Sequence, residues 1–182
     1  MQKRSHRLLA RTLLDSRSGF STRRYEAAFI FGSFQPDCNP FTYLKGSFRG
    51  HVLQGHHYAN CHPFLYSRIA RLQQREKWNL WHYYTLGKLT HYLADAFTYP
   101  HNDHYPESIA CHHDYETELR LCLARRLPAS APWRAQLRGD LVEALEELHR
   151  RYEAAASDFS RDASYILQAT ALLMAGCVPA RQ

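Results

Sequence analysis

Apolar residues recur at helical spacing along most of the chain, and no stretch alternates with the period of two that marks a half-buried strand. Ser5 is placed to cap a first helix over residues 5–15, in which Leu9 and Leu13 lie one turn apart. After Gly19 a second helix starts at about Thr22 and packs Ala27, Ala28, Ile30 and Phe31. It is expected to stop near Gly32, because Pro36, Asn39 and Pro40 make the following loop irregular. A segment with Gly46, Gly50 and Gly55 has room for short helical pieces only. From Pro63 to about residue 76, Leu65, Ile69 and Leu72 mark a buried face, and a longer central helix follows over residues 78–98 with Tyr84, Leu86, Leu89 and Leu93. The stretch between Pro100 and Pro106 turns the chain, Ser108 can cap a helix over residues 111–127, and Pro128 and Pro132 break it again. A charged amphipathic helix to about residue 156 uses Leu137, Leu141, Leu145 and Leu148. The last helix, from about Phe159, uses Tyr165 or Ile166, Ala169, and Leu172 or Leu173. The pattern predicts an all-α fold without internal repeats, and a chain of 182 residues is of the size that forms one domain, 1–182.

Between Gly87 and Glu116 the pattern changes character. His91 and Asp95 are four apart, as are His112 and Glu116, so each pair projects from one helical face, and His101 after Pro100 belongs to the corner between the two helices. Leu89, Tyr92, Leu93 and Phe97 surround the first pair, and a carboxylate buried among such neighbours is costly unless a cation compensates it. Imidazole and carboxylate donors suit zinc without any thiolate. The second pair has an ordinary reading too, a wet helix start with His113, Asp114 and Glu118, in which His113 is an alternative ligand to His112.

These motifs carry a resemblance. His91-Tyr92-Leu93-Ala94-Asp95, then Pro100-His101, then His112-His113-Asp114-Tyr115-Glu116 resemble the zinc-dependent phospholipase C family and, more distantly, zinc-dependent single-strand nucleases of the same fold. Asp37 and His51, fourteen apart, and His6 near the N-terminus match further ligand positions, so the resemblance runs over about residues 5–120. It implies a multi-helix bundle around a cluster of two to three Zn²⁺, with the C-terminal helices completing the bundle. Asp37, His51, His91 and Asp95 are implied on one zinc and His101, His112 and Glu116 on a second. Asp95 is implied to bridge to a third shared with His6. His56 is an alternative to His51. Secreted members complete the third site with the amine and carbonyl of an N-terminal tryptophan. Here Met1 and Gln2 precede His6 and the first tryptophan is Trp78, so that site is expected to be weak, completed by another group, or empty.

Charge and cysteine usage narrow the setting. Net charge is +6, and Lys3, Arg4, Arg7, Arg11, Arg17, Arg23 and Arg24 crowd the first 26 residues against Asp15 and Glu26. That skew suits an anionic partner, either phosphate-bearing lipid, including peripheral contact with an anionic membrane, or nucleic acid; it also suits a solubilising helix surface. Five cysteines without a C-x-x-C spacing exclude a disulfide framework and fit a reducing compartment, with Cys38 and Cys111 expected as small buried thiols. No continuous apolar run suggests a signal peptide or a membrane span, which points to the cytoplasm.

The expected chemistry is metal-assisted hydrolysis of a phosphodiester, in a phospholipid or a smaller ester. A positive metal cluster stabilises charge gathering on the phosphoryl oxygens. Asp37 is a candidate general base, by inference from the family, and Asp95 is the bridging ligand. Phe48 matches a choline-contacting position, whereas Cys38 stands where the family has a tyrosine; Tyr43, Phe41 and Phe34 are nearby aromatics. The rival readings are a nuclease-like phosphodiesterase on the same fold and a non-catalytic zinc-binding protein.

Overall fold

The apolar run after Trp78 forms a central helix against which much of the structure is built. The computed structural model describes residues 1–16, 20–38, 58–102, 109–127, 135–154 and 158–178. In chain order these form α1 (Lys3–Ser16), α2 (Arg23–Phe34) with a 3-10 turn at Gln35–Cys38, and α3 (Tyr58–Gln73). They continue as α4 (Leu80–Ala96) with a 3-10 turn at Tyr99–His101, α5 (Ile109–Arg126), α6 (Leu141–Glu153) and α7 (Phe159–Cys177). The fold is all-α, and no strand occurs among the described residues. No described helix is long and apolar enough to cross a membrane.

Every residue of the second half of α4 and the turn after it, from Leu89 to Thr98, is buried. A helix enclosed on all sides needs partners all round, and α4 contacts α1, α2, α3 and α7. The closest crossing is with α2. A β-carbon at Gly32 would collide with the Tyr84 carbonyl oxygen, and one at Gly87 with that of Phe29, so the two backbones touch where both helices lack a side chain. Gly32, expected to stop α2, is therefore a packing residue inside it, and the helix continues to Phe34.

The other boundaries shift for local reasons. Ser5 and His6 both donate their backbone N–H to the Gln2 carbonyl, so α1 begins at Lys3 and Ser5 is a buried residue of its first turn rather than its cap. Pro63 lies inside α3, not at its start; so near the N-terminal end it costs one backbone bond at most. The central helix is shorter than expected at both ends. It starts after Asn79, whose side chain accepts from the N–H groups of Trp81 and His82 while His82 Nδ1 accepts from the Asn79 N–H. α5 starts at Ile109, and its expected cap, Ser108, lies outside the described residues. Asp140 caps α6 through Val142 and Glu143, so Leu137 precedes that helix while still packing on the core, and α6 ends at Glu153 rather than near residue 156. Asp158 caps α7 through the Ser160 N–H.

Candidate metal centre

The buried half of α4 brings two polar side chains into the core. His91 and Asp95, one turn apart, are 0% and 1% exposed. His91 Nδ1 lies 2.9 Å from the Ser33 carbonyl of α2, and since a carbonyl only accepts, Nδ1 carries the proton. In the neutral ring Nε2 then presents a lone pair. It faces two other electron-rich groups, Asp95 Oδ2 at 3.2 Å and Asp37 Oδ1 at 3.6 Å, from the 3-10 turn after α2. An imidazole nitrogen and two carboxylate oxygens that converge in this way can hold a cation among them. A partner that fixes the distal imidazole nitrogen is the usual support of a metal-binding histidine.

α1 adds His6, stacked on His91 at 3.9 Å between ring centroids. His6 is 1% exposed, and neither ring nitrogen has hydrogen-bond geometry to a partner among the described residues, although Nε2 stands 3.2 Å from Asp95 Oδ1. Ligand atoms of His6, His91 and Asp95 all fall within 4.8 Å of one another. Burial pushes the His6 imidazole down to about 3, so it is neutral and can offer a nitrogen to a metal.

On the far side of Asp95 the turn after α4 contributes His101 and α5 contributes Glu116, with His101 Nε2 3.6 Å from Glu116 Oε1. Between them lies the amino group of Met1, 2.7 Å from Asp95 Oδ1, 3.0 Å from Glu116 Oε1 and 3.4 Å from His101 Nε2. Burial opposes its charge, but Asp95, Glu116 and Asp37 outweigh that and hold it up to about 11. The ammonium supplies positive charge where carboxylates meet. Burial and this ammonium push His101 down to about 4. Asp95 is held well below the usual carboxylate range: burial works against ionisation, and the Met1 ammonium foremost outweighs it.

The residues thus form one cluster of imidazoles and carboxylates drawn from α1, the turn after α2, α4, the turn after it, and α5. The donor types suit zinc, and the neutral His6 together with the His91 lone pair fits a bound cation. The sequence model of the zinc-dependent phospholipase C family matches residues 5–166. The chain belongs to this zinc-dependent phospholipase C family. Its match extends past the 120 or so residues on which the resemblance was read, through α6 and into α7. No curated protein and no solved structure gives a significant match.

Within this family member the structure brings together His6, Asp37, His91, Asp95, His101 and Glu116 of the eight expected ligands. His51, with its alternative His56, and Phe48, Phe41 and Tyr43 lie outside the described residues. The backbone of His112 and His113 belongs to α5, and their side chains, like that of Cys111, lie outside what is described. Cys38, expected to be buried, is exposed and donates weakly to the Phe34 carbonyl at 3.5 Å, because it ends the turn on the solvent side of Asp37. The Met1 amine is the group that residue-type reasoning did not single out.

The C-terminal helices hold the turn that carries His101. Asp162 of α7, fully buried, accepts the Tyr99 N–H and the hydroxyls of Tyr115 and Tyr152, at 2.8–2.9 Å. Tyr99 is two residues before His101 and Tyr115 adjoins Glu116. Burial pushes Asp162 up to about 6, against the three hydrogen bonds that favour its ionised form. From α6, His149 Nε2 donates to the Ala96 carbonyl and lies 3.1 Å from Asn102 Oδ1. The Asn102 side chain in turn donates to the Ala96 and Thr98 carbonyls. His149 is thus a core histidine with a structural role. The sequence held no signal for Asp162, which lies 46 residues beyond Glu116 in an unremarkable helical context.

Proposed function

We propose that this protein is a metal-assisted phosphodiester hydrolase whose substrate is a phospholipid, cleaved at the glycerol–phosphate bond. The observation that carries the reading is the convergence of His91 Nε2 on the Asp95 and Asp37 carboxylates beside a buried His6, with His6, His91 and Asp95 close enough to share one metal ion. Two to three Zn²⁺ per chain are proposed. Asp37, His91 and Asp95 would hold one with His51, and His101 and Glu116 would hold another with His112. Asp95 and His6 would hold a third. When bound, zinc polarises the phosphoryl oxygens and lowers the pKa of water.

The chain's own residues define the rest of the site. Asp95 joins its two halves, with Oδ2 toward His91 and Oδ1 toward His6 and Met1. Asp37, 15% exposed on its side chain, is the carboxylate proposed to accept the proton of the attacking water. The Ser33 carbonyl fixes the His91 tautomer. Residues 1–182 act as one domain, and the described cysteines form no disulfide, which suits work in the reducing cytoplasm.

Hydrolysis of a chromogenic phosphodiester and of mixed-micelle phospholipid, each with zinc and with chelator, tests the reading. Zinc-dependent release of diacylglycerol supports it. Robust cleavage of single-stranded DNA with no lipid turnover would move the protein to the nuclease class, and zinc binding with no hydrolysis of any ester would make the centre structural.

A further inference from the structure

One face beside the metal centre gathers apolar and basic groups that the cluster does not use. Trp81 is 69% exposed, Phe31 51% and Leu80 50%, more than any other large apolar side chain among the described residues. They are contiguous. Trp81 packs on Tyr84 with 4.9 Å between ring centroids, Tyr84 lies 5.9 Å from Phe31, and Phe31 meets Phe34 edge to face. Alongside runs a groove of about 140 Å³ between α3 and α4, with Trp81 and Tyr84 on one side and Phe64 on the other. Arg68 and Lys88 both line it, each over an aromatic ring, Arg68 on Phe64 and Lys88 on Tyr84.

The charge on this face has one sign. α3 carries Arg68 and Arg71 and no carboxylate; the charged residues of α4 are Lys88 and Asp95, and Asp95 is buried in the metal centre. Neither Arg68 nor Lys88 forms an ion pair among the described residues, and Lys88 is half-buried. Burial, followed by Arg68, shifts the Lys88 ammonium downward, as expected where two cations share a groove with no carboxylate paired to them among the described residues. Exposed tryptophan and leucine beside unpaired Lys and Arg is the composition that enters the headgroup layer of an anionic bilayer.

The face also adjoins the centre. The Tyr84 hydroxyl donates to Gln35 Oε1 at 2.9 Å, two residues before Asp37, and Lys88 precedes His91 by three positions on α4. Resting on the phospholipid reading above, we infer that this face is the surface by which the protein docks on an anionic phospholipid bilayer. Trp81, Leu80 and Phe31 enter the interface, and Arg68 and Lys88 grip the phosphate of a lipid other than the one cleaved.

Sedimentation of the purified full-length chain with sucrose-loaded vesicles tests this, using phosphatidylglycerol mixed equally with phosphatidylcholine against phosphatidylcholine alone. The expected result is binding to the anionic vesicles, weakened at least about tenfold by Trp81→Ser and by the double change Arg68→Gln, Lys88→Gln. The double change Arg150→Gln, Arg151→Gln removes the same charge from exposed positions of α6 and should weaken binding much less. Unfolding midpoints and circular dichroism show that each variant is folded. Equal loss in the α6 control, equal binding to both vesicle types, or a concentration-dependent dimer abolished by Trp81→Ser would each overturn the inference. Hydrolysis of a soluble chromogenic diester, measured in parallel, separates the two claims. Vesicle binding without soluble turnover removes the catalytic reading alone; turnover without vesicle binding removes the docking face alone.

Discussion

Asp95 concentrates the chemistry of the centre in one side chain. Its oxygens face His91, His6 and the Met1 amine from a position 1% exposed, and it is the link between the two halves of the cluster. Asp95→Asn keeps the shape and removes the charge that lets two cations approach. The variant should lose at least one equivalent of zinc, and its turnover should fall about a hundredfold or more. Elemental analysis and a chromogenic diester check both, and unchanged zinc and turnover would make the pair on α4 structural. At this scale the sequence was most informative where ligands come in helical pairs, because spacing alone puts His91 and Asp95 on one face. The sequence left open which group, if any, completes the third site, and did not single out the Met1 amine, because a backbone group has no residue-type signature. The orientation of His91 escaped because its partner is the Ser33 carbonyl, which belongs to no motif.

Two elements place the ligands, and each has a weak point. The α2–α4 crossing depends on Gly32 and Gly87 meeting backbone to backbone, and the turn that ends α2 carries Asp37. Gly87→Ala puts a methyl against the Phe29 carbonyl, so it should destabilise the fold by about 2 kcal/mol and move Asp37 with α2. Urea unfolding and zinc titration should then both shift; an unchanged midpoint would show that the crossing has slack. The second is the turn bearing His101, held by Asp162. Asp162→Ala strands the Tyr99 N–H and two tyrosine hydroxyls, at a cost of about 3 kcal/mol or more, and loosens His101 and Glu116 together. Helix number and order were legible from apolar spacing. The role of Gly32 was not, since a glycine near a helix end reads equally as a stop or as a close contact. The roles of Asp162 and His149 depend on long-range packing of α6 and α7 that spacing does not record.

Across the whole molecule, buried neutral histidines set the response to acid. His149 is pushed down to about 4 by burial and by His62, against the Ala96 hydrogen bond, from an ordinary value of 6.5. The fold therefore favours its neutral form. The stability it contributes is complete above about pH 6.5 and is lost as pH falls from there toward 4, about 3 kcal/mol over the full window. Thermal unfolding at pH 7 and pH 5 should show wild type losing more stability than His149→Gln, even though the variant starts lower. Equal losses would show that His149 does not sense the change. The departures from the choline-binding pattern lead to a prediction about substrate. With Cys38 where the resemblance calls for a tyrosine, the headgroup has less to grip, while a metal cluster attracts any phosphodiester. Specificity constants for phosphatidylcholine, phosphatidylethanolamine and phosphatidylglycerol in matched micelles should agree within about tenfold, or about 1.4 kcal/mol. A choline preference a hundredfold above the others would place headgroup recognition in another pocket.

The central claim is that these imidazoles and carboxylates form a multinuclear zinc centre. Zinc per chain, measured by elemental analysis on protein purified without chelator and equilibrated with zinc, tests it most directly. At least two equivalents are predicted, because the His91–Asp95 side and the His101–Glu116 side are separate sets of donors joined through Asp95. One equivalent or none in zinc-replete protein would contradict the account.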